Sequence, residues 1–353
     1  MKIAVIGGGI NGLMIARQLS LDAHKVFLFE KDELMSGTSS KSTKLIHGGI
    51  RYLENFQFKQ VKESLIERDF WLNYAPEIVK PIEFIIPIYS SSLRQKWRYK
   101  LGLFIYDFLA SKKNIAQHQR LTRNQIIENE PNLKDHEIIS GYSFYDAQMD
   151  DFTLGLYVAD ELEKLGVKIF TQKEVKDIDP IGELTFMDSS KMSFDKIFNV
   201  TGPHAERILK KSNINSSLKI DLIRGSHIIF NQPINKSYLF EAQDSRIFFV
   251  ISYKNKTLVG TTEVKQELDE AIKPSLDEIE YLLDAYNKFF ICNKKASDID
   301  DYYSGVRPLI KSYRSPTNTS REYDFEIINN LISVFGGKWT SSRALAKKCS
   351  RLF

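Results

Sequence analysis

Residues 7–12 read Gly-Gly-Gly-Ile-Asn-Gly and match the G-x-G-x-x-G turn of dinucleotide-binding proteins. The apolar residues 2–6 precede this turn, and the periodic apolar stretch 10–19 follows it. A second apolar run, residues 25–29, leads directly into an acidic residue. This order predicts a buried strand, a tight turn, a helix and a second strand beside the first.

The glycines of this turn have separate tasks. Gly7 permits the tight turn, Gly9 lets the backbone reach a pyrophosphate, and Gly12 allows the helix and strand to pack closely. A pyrophosphate at the helix N-terminus is favoured by unpaired N–H groups and the helix dipole. Glu30 is placed to accept hydrogen bonds from ribose hydroxyls and to disfavour a 2′-phosphate. A glycine-rich turn alone is also compatible with an ordinary turn, but the flanking strands and the acid favour a nucleotide site.

A second informative segment, residues 37–54, follows directly on this unit. It combines hydroxyl side chains, lysines, a glycine pair, His47 and Arg51. Small and hydroxylated residues let a backbone approach a phosphate or a planar ring, while an imidazole moves protons and a guanidinium holds anions. The first half is also typical of a solvated loop, an alternative that the apolar surroundings of His47 fit poorly.

The glycine-rich turn does not distinguish FAD from NAD. Two later segments favour FAD, namely residues 199–203, Asn-Val-Thr-Gly-Pro, and residues 335–340, Phe-Gly-Gly-Lys-Trp-Thr, at the head of the last predicted helix. A flavin enzyme often uses a second helix N-terminus, because its positive end stabilises the electron-rich reduced ring. Each segment alone is equally compatible with an ordinary strand–helix turn.

The remaining pattern predicts an α/β fold in which a β-rich substrate domain is inserted into a Rossmann-like FAD-binding domain. We assign residues 1–80, 141–215 and 300–353 to the FAD-binding domain and residues 81–140 and 216–299 to the substrate domain. The further predicted elements are helices over residues 58–75, from a cap at Asp151 to Gly166, from the capping box at Ser275 and over residues 339–352, and strands near residues 83–89, 167–170, 184–187, 196–200, 302–309, 324–328 and 331–335.

Composition excludes several classes of protein. The 353 residues carry 49 Lys and Arg against 45 Asp and Glu, and the net charge of +4 indicates no nucleic-acid partner. The cysteines, Cys292 and Cys349, lack metal-ligand spacing, so we predict a reduced, cytoplasmic protein without disulfides or a metal site. We also expect no signal peptide, since the chain opens on a strand, and no membrane-spanning helix.

Several stretches in order along the chain carry a family resemblance. They are residues 37–54, 145–151 (Tyr-Asp-Ala-Gln-Met-Asp-Asp), 199–203, 224–228 (Arg-Gly-Ser-His-Ile), 260–263 (Gly-Thr-Thr-Glu), 303–309 (Tyr-Ser-Gly-Val-Arg-Pro-Leu), 320–322 (Ser-Arg-Glu) and 333–340. Through them the chain closely resembles the aerobic-type, FAD-dependent glycerol-3-phosphate dehydrogenases. The resemblance implies the fold of the glycine- and amino-acid-oxidase group, noncovalent FAD, and oxidation of sn-glycerol 3-phosphate to dihydroxyacetone phosphate by hydride transfer from C2 to the flavin.

The resemblance, together with the turn motif, also implies roles for particular residues. The candidate substrate-binding residues are Arg51, Tyr52, Thr262, Arg307, Arg321 and Lys338. The candidate catalytic residues are His47, His227 and Arg307. The candidate FAD-binding residues are Gly7, Gly9, Ile10, Asn11, Gly12, Glu30, Lys31, Thr38, Ser39, Ser40, Ser42, Thr43, Lys44, Leu45, His47, Val175, Thr201, Gly202, Gly305, Arg307, Gly337, Lys338, Trp339 and Thr340.

The chemistry of these side chains agrees with the implied reaction. A neutral imidazole with a pKa near ~6.5 suits removal of the hydroxyl proton at neutral pH. Guanidinium groups match phosphate oxygens bidentately, and Arg307 lies in an apolar, turn-containing stretch where an unpaired charge is costly. A single arginine is otherwise more often part of a surface ion pair, and His227 is equally compatible with a histidine satisfied within the core.

Residues 93–113 combine basic side chains with an aromatic-rich apolar face. This pattern suits a helix lying in a membrane interface, and the stretch resembles that of the quinone-reducing family members, which are peripheral membrane enzymes. It is equally compatible with a helix that packs on the protein's own core and exposes a basic edge. The sequence is therefore compatible with a cytoplasmic location and with a peripheral location on the inner membrane face.

Other properties stay open at this stage. Family members typically carry a further C-terminal helical domain, which we expect this chain, ending at Phe353, to lack, and Glu263 stands where they usually have Asp. The alternatives to glycerol 3-phosphate are another phosphorylated polyol or hydroxy acid in a biosynthetic pathway, and a non-catalytic flavin-binding protein. The sequence does not indicate the electron acceptor, the oligomeric state or the general base.

Overall fold

The computed structural model describes residues 1–92, 96–242, 244, 246–311 and 323–353. In these ranges the helices are α1 (Ile10–Leu21), α2 (Phe58–Tyr74), α3 (Lys96–Ala110), α4 (Arg123–Asn129), α5 (Asp151–Lys164), α6 (Ala205–Lys211), α7 (Leu276–Phe289) and α8 (Ser342–Cys349). The strands are β1 (Lys2–Ile6), β2 (Lys25–Phe29), β3 (Leu45–Ile46), β4 (Val79–Tyr89), β5 (Gln119–Thr122), β6 (Ile138–Met149), β7 (Lys168–Phe170), β8 (Val175–Asp179), β9 (Glu183–Phe186), β10 (Lys191–Ser193), β11 (Lys196–Asn199), β12 (Ile220–Phe230), β13 (Ser237–Glu241), β14 (Ile247–Tyr253), β15 (Lys256–Gly260), β16 (Val264–Lys265), β17 (Ile299–Ile310), β18 (Tyr323–Ile328) and β19 (Leu331–Gly336).

The first sheet contains the glycine-rich turn and has the order β18-β19-β11-β1-β2-β7. Strand β18 runs antiparallel to β19, and the other neighbours are parallel. Side chains of β1 alternate between two cores, as expected for a strand covered on both faces. Ile3 and Val5 pack in the core that includes residues of α1, α5 and α8, whereas Ala4 and Ile6 pack towards α6 and the small sheet β8–β10. The predicted strand–turn–helix–strand unit and the α/β fold are confirmed.

The second sheet has the order β16-β12-β15-β14-β13-β4-β6-β3, with β17 paired to β12 and β5 paired to β6. It too separates two cores. Phe240 packs with α7, where its ring stacks on Phe289 at 4.4 Å between centroids. Phe84 and Phe144 belong to the core that includes Tyr106 of α3. The second sheet therefore has apolar cover from helices on both faces.

The predicted domain division stays a prediction, but strand pairing bears on where a boundary falls. Strand β6 pairs with β4, and β17 pairs with β12, so both belong to the second sheet although residues 141–149 and 300–310 were assigned to the FAD-binding domain. Strand β3, near the N-terminus, also pairs with β6.

Several element boundaries differ from the sequence prediction. The N-cap of α5 is Asp150, whose side chain accepts a hydrogen bond from the Thr153 N–H at 2.9 Å, so Asp151 is the first residue inside the helix and not its cap. Helix α8 is shorter than the predicted 339–352, since Gly336 and Gly337 adopt positive φ values of 76° and 92° and the chain turns before it. Strand β4 begins at Val79 and includes Pro81, which is tolerated because β13 pairs only further along, at Phe84 and Ile85.

Gly12 tests how closely α1 approaches the glycine-rich turn. A Cβ at Gly12 would lie 1.9 Å from the Gly7 carbonyl oxygen, whereas a Cβ at Gly102, in α3, would meet nothing within 4 Å. In a helix interior alanine is favoured over glycine by about 0.5–1 kcal/mol. We expect Gly12→Ala to lower the thermal unfolding temperature and the matched Gly102→Ala to raise it slightly. Equal shifts for the two variants would contradict this packing.

Candidate active site

A cavity of about 990 Å³ is lined by residues from both large sheets. This volume is at the upper end of the range for cofactor and small-molecule sites. Gly7 and Val200 line it from the first sheet, and His227, Phe249 and Arg307 line it from the second. Neither sheet builds the site alone.

Most of the predicted site residues meet at this cavity. Those that line it are Gly7, Gly9, Ile10, Asn11, Glu30, Lys31, Thr38, Ser39, Ser42, Thr43, Leu45, His47, Arg51, Tyr52, Val175, Thr201, Gly202, His227, Gly305, Arg307, Gly337, Lys338, Trp339 and Thr340. Gly12, Ser40, Lys44 and Thr262 do not line it. Arg321 lies outside the described residues.

The glycine-rich turn forms a narrow cradle at one end of the cavity. Gly7 has a φ of 114°, and a Cβ at Gly9 would lie 2.9 Å from the Ser39 hydroxyl oxygen. Glu30 accepts a hydrogen bond from the Gly8 N–H at 2.6 Å, so its carboxylate is fixed beside the turn. Asn11 Oδ1 is buried and has no hydrogen-bond partner among the described residues. The cradle therefore offers close backbone approach and an unused polar atom.

The loop of residues 38–44 is held by side chains from distant parts of the chain. Trp339 Nε1 donates to the Ser39 carbonyl at 2.6 Å, and Tyr303 donates its hydroxyl to the Ser42 carbonyl at 2.7 Å. Lys44 forms a buried ion pair with Asp151 at 2.6 Å. The Lys44 side chain therefore stabilises this loop, and Lys44 is not among the residues that line the cavity; its assignment to FAD binding stays a prediction.

His47 lies at the cavity wall between the two sheets. Its backbone N–H donates to Thr340 Oγ1 at 3.3 Å, and the next N–H, of Gly48, donates to Asp146 Oδ1 at 3.1 Å. Its ring lies 6.4 Å from that of Tyr52, between centroids. Two hydrogen bonds, at the N–H groups of His47 and Gly48, thus fix the backbone that carries this candidate proton acceptor.

His227 is a neutral group at the cavity. Its Nε2 lies 3.0 Å from Thr43 Oγ1, its ring stacks on Tyr303, and its buried Nδ1 has no partner in the part of the chain that the structure describes. Burial lowers the pKa of His227 to about 3, and the positive charges of Arg307 and Lys44 act in the same direction. So weak a base favours a hydrogen-bonding role for this imidazole over proton acceptance.

Arg307 is fixed by the peptide segment opposite it on the second sheet. Its Nη2 donates to the Thr262 carbonyl at 2.7 Å, and its Nη1 lies 3.6 Å from Glu263 Oε1. The Thr262 hydroxyl points away from the cavity and donates to Glu278 at 2.5 Å. Thr262 therefore positions Arg307 through its backbone, whereas its neighbour Thr261 lines the cavity. The expectation of a Thr262 side chain at the anion site is corrected.

Lys338 adds a second cation to the cavity wall. Its Nζ donates to Ser64 Oγ at 2.8 Å and lies 4.6 Å from the centroid of the Tyr52 ring. Arg51, on the turn that carries Tyr52, lines the same cavity. Arg51, from the N-terminal part of the chain, thus lines the same cavity as Arg307 and Lys338, from its C-terminal part.

Sequence reasoning gave no site role to three acidic residues that organise this site. They are Asp146, which binds the Gly48 N–H, Asp151, which pairs with Lys44, and Glu278, which accepts from Thr262. Asp146 and Asp151 lie in the stretch 145–151 that carries the family resemblance, and Glu278 belongs to the Ser275 capping box.

Comparison with known proteins agrees with this geometry. A model of the FAD dependent oxidoreductase (DAO) family matches residues 2–352. D-Erythritol 1-phosphate dehydrogenase of Brucella abortus is 36% identical over 98% of this chain and 72% of its own length. The aerobic glycerol-3-phosphate dehydrogenase of Escherichia coli is 34% identical over 98% of this chain and 72% of its own length.

Solved structures show the same fold. Glycerol-3-phosphate dehydrogenase from Bacillus halodurans, complexed with FAD, superposes with a TM-score of 0.77 at 24% identity, over 99% of this chain. This chain spans 63% of that one. Glycine oxidase from Geobacillus kaustophilus gives a TM-score of 0.78 at 18% identity, over 99% of this chain and 93% of that one.

The family match defines a flavin-dependent oxidoreductase, and its fold is shared with glycine oxidase. The chain belongs to the FAD dependent oxidoreductase (DAO) family, and its relatives include proteins named glycerol-3-phosphate dehydrogenase. Its cofactor is FAD, and the narrow glycine cradle, the fixed Glu30 carboxylate and the unused Asn11 Oδ1 fit such a dinucleotide. When bound, FAD accepts a hydride from the carbon being oxidised.

His227 makes the stability of the protein depend on pH. Its folded-state pKa of about 3 is below its ordinary value of 6.5, so the unfolded state binds more protons between these values and stability falls as the pH is lowered through this window. Acidification from about pH 7.5 to about pH 5.5 should remove on the order of 1 kcal/mol through this residue. We expect His227→Gln to lose less thermal stability than the wild type on this acidification.

The matched control for this measurement is His136→Gln, at a histidine whose side chain is 71% exposed. It should lose as much stability as the wild type. Equal losses in all three proteins would show that His227 is not the buried neutral group described above.

Proposed function

We propose that the protein oxidises sn-glycerol 3-phosphate to dihydroxyacetone phosphate, with hydride transfer from C2 of the substrate to FAD. The observation that carries this proposal is the convergence of Arg51, Arg307 and Lys338 on the cavity that His47 also lines. A phosphorylated secondary alcohol requires these two functions side by side, cations for its phosphate and a base for its hydroxyl.

Arg307 and Lys338 would bind and orient the phosphate. Arg307 is held by the Thr262 carbonyl and by Glu263, so its guanidinium is fixed before the substrate arrives. A preorganised guanidinium loses little freedom on binding, which favours tight and oriented recognition of an anion. Glu263 compensates the half-buried charge of Arg307 when no phosphate is present.

His47 would take the proton of the substrate hydroxyl. Oxidation of a secondary alcohol removes a hydride from carbon and a proton from oxygen, and the proton needs an acceptor at the site. The imidazole of His47 lines the cavity, and its backbone is fixed from both sides. His227 would contribute a hydrogen bond as a neutral group, because its pKa of about 3 excludes a charge at neutral pH.

A second candidate substrate is a longer phosphorylated polyol such as D-erythritol 1-phosphate. The relative from Brucella abortus, at 36% identity, is named for that substrate. The same anion site and the same proton transfer would serve both alcohols, since they share a phosphate and a secondary hydroxyl. The substrate is therefore decided by which alcohol reduces the flavin.

Anaerobic mixing of the FAD-loaded protein with each alcohol tests the proposal. We expect glycerol 3-phosphate to bleach the visible flavin absorbance, and unphosphorylated glycerol at the same concentration to leave it unchanged. Bleaching by D-erythritol 1-phosphate alone would favour the second candidate. Bleaching by neither phosphorylated alcohol would overturn both.

Arg307→Ala makes this test specific for the anion site. It should retain FAD but lower kcat/KM for the phosphorylated alcohol about 10- to 100-fold, the effect of losing a charge-assisted hydrogen bond. Arg123→Ala is a matched control, since Arg123 pairs with Asp135 on the exterior, and it should leave kcat/KM unchanged. An unchanged kcat/KM in Arg307→Ala would remove Arg307 from phosphate binding.

We also propose that α3 contacts an anionic membrane surface. Its inner face, with Leu103, Tyr106 and Ala110, is buried. Its outer face exposes large apolar side chains, and basic residues lie along the helix and at its end. These exposed apolar side chains are Trp97, Leu101, Phe104 and Phe108. The sequence left two alternatives, a helix packed on the protein's own core and a helix in a membrane interface. The inner face of α3 fits the first, and its outer face has the composition of an interfacial helix.

No helix in the described ranges combines the length and apolar character that crossing a bilayer requires, so this contact would be peripheral. We expect the double variant Phe104→Gln/Phe108→Gln to bind less to vesicles of phosphatidylglycerol in a sedimentation assay, at unchanged FAD content. Added salt should weaken the wild-type binding, because the basic residues act through electrostatics. Phe152→Gln, at an exposed phenylalanine of α5, is the control. Equal sedimentation of all three proteins would contradict the membrane contact.

A further inference from the structure

We propose that Asp146 is a positioning residue, which fixes the peptide between His47 and Gly48 so that the His47 imidazole is held at the cavity. The role of His47 as proton acceptor rests on the proposed function above. Asp146 lies on β6, lines the cavity and is 3% exposed. It touches neither the phosphate-binding cations nor the glycine cradle among the described contacts, so its effect on the reaction would pass through the backbone it holds.

A single carboxylate oxygen of Asp146 collects three hydrogen bonds. Its Oδ1 accepts from the Gly48 N–H at 3.1 Å, from the Tyr106 hydroxyl at 2.6 Å and from Arg68 Nη1 at 2.9 Å. The Tyr106 oxygen also accepts from the Gly48 N–H, at 2.9 Å. Tyr106 of α3 and Asp146 of β6 thus both accept from one backbone N–H, and Arg68 of α2 holds the Asp146 carboxylate in place.

The residues after His47 need such an anchor. Gly48 and Gly49 are adjacent glycines, and Gly49 has a φ of 76°. A glycine pair has more conformational freedom than any other dipeptide, so an unanchored chain would leave His47 with many orientations. A Cβ at Gly48 would lie 2.3 Å from the Tyr106 hydroxyl, which excludes a stiffer residue there. The hydrogen bonds at Gly48 supply the rigidity that the sequence lacks.

The anchor is rigid because it is buried and charged. The Arg68 side chain is fully buried, and its Nη1 also donates to the Tyr145 carbonyl at 2.8 Å. Burial raises the pKa of the Asp146 carboxyl, while the Arg68 charge and the hydrogen bonds oppose that effect. Separating Asp146 from Arg68 would leave an unpaired charge in the interior, which is strongly destabilising. The ion pair therefore stays formed in the folded protein.

Two substitutions separate the acceptor from the charge. Asp146→Asn keeps an oxygen that can accept the Gly48 N–H, whereas Asp146→Leu has the same size and no acceptor. Both break the ion pair with Arg68, so both should lower the thermal unfolding temperature. We expect Asp146→Asn to keep kcat within about threefold of wild type, because it still holds the peptide. We expect Asp146→Leu to lower kcat roughly 10- to 100-fold, the usual effect of a misplaced catalytic group.

Amide hydrogen exchange in the FAD-loaded protein gives a second readout that needs no substrate. Exchange in the peptide covering residues 45–50 should accelerate in Asp146→Leu and stay near wild type in Asp146→Asn. Glu67→Leu is the matched control for stability, since it removes a buried carboxylate that pairs with Arg343 and not with Gly48. It should lower the unfolding temperature without changing either readout.

The outcomes separate this inference from the proposed function. Equal loss of kcat and equal exchange in Asp146→Asn and Asp146→Leu would overturn positioning, because activity would then follow the ion pair. If no phosphorylated alcohol reduces the wild-type flavin, the proposed function fails, while the exchange comparison still decides whether Asp146 holds residues 47–48.

Should Asp146→Leu not fold, Tyr106→Phe applies the same test more mildly. It removes one acceptor of the Gly48 N–H and one donor to Asp146, and a smaller acceleration of exchange in residues 45–50 is expected. Tyr238→Phe is its control, because the buried Tyr238 hydroxyl has no hydrogen-bond partner within the described ranges. Identical exchange in these two variants would overturn the inference.

Discussion

The buried carboxylate of Asp151 holds the loop on which the cavity depends. It accepts hydrogen bonds from Lys44 Nζ at 2.6 Å, from the Ser42 N–H at 3.0 Å and from the Ser42 hydroxyl at 2.7 Å. Thr43 and Leu45, between and beside these anchors, line the cavity. An uncompensated charge at so buried a position costs several kcal/mol, so the loop and the start of α5 form together or not at all.

A similar arrangement at the start of α7 supports the candidate anion site. The Glu278 carboxylate, at the start of α7, accepts from Arg224, from the Thr262 hydroxyl and from the Ser226 hydroxyl. Burial alone raises the pKa of Glu278, but these hydrogen bonds and that of the Ser275 N–H bring it below its ordinary value. The peptide that fixes Arg307 is thereby tied to a helix terminus. Anions at the starts of α5 and α7 stabilise the backbone, and cations line the cavity.

The sequence was sufficient for the nucleotide-binding unit, and most of the site residues predicted from it line the cavity. The turn at residues 7–12 is predictable because each of its glycines is required by a close approach of the chain. The Ser275 capping box is predictable because its hydrogen bonds join residues three positions apart. Side-chain direction was the part that could not be predicted. Lys44 and Thr262 occupy the expected segments but point away from the cavity, because their partners, Asp151 and Glu278, are distant in sequence or hidden in a cap. A motif predicts where a segment lies. The direction of its side chains is decided by ion pairs and hydrogen bonds to residues outside the motif.

The order of strands in the first sheet has a consequence for how the protein is made. Strand β1 (residues 2–6) pairs with β11 (residues 196–199), and β11 pairs with β19 (residues 331–336), so these strands leave the ribosome long after the first one. Trp339 also closes the cavity by binding the Ser39 carbonyl. During synthesis the glycine-rich turn is therefore exposed long before its surroundings exist, and non-local pairing of this kind is slow. The cavity is therefore complete only after residues 336–340 have been synthesised, so we expect FAD to bind late in biogenesis.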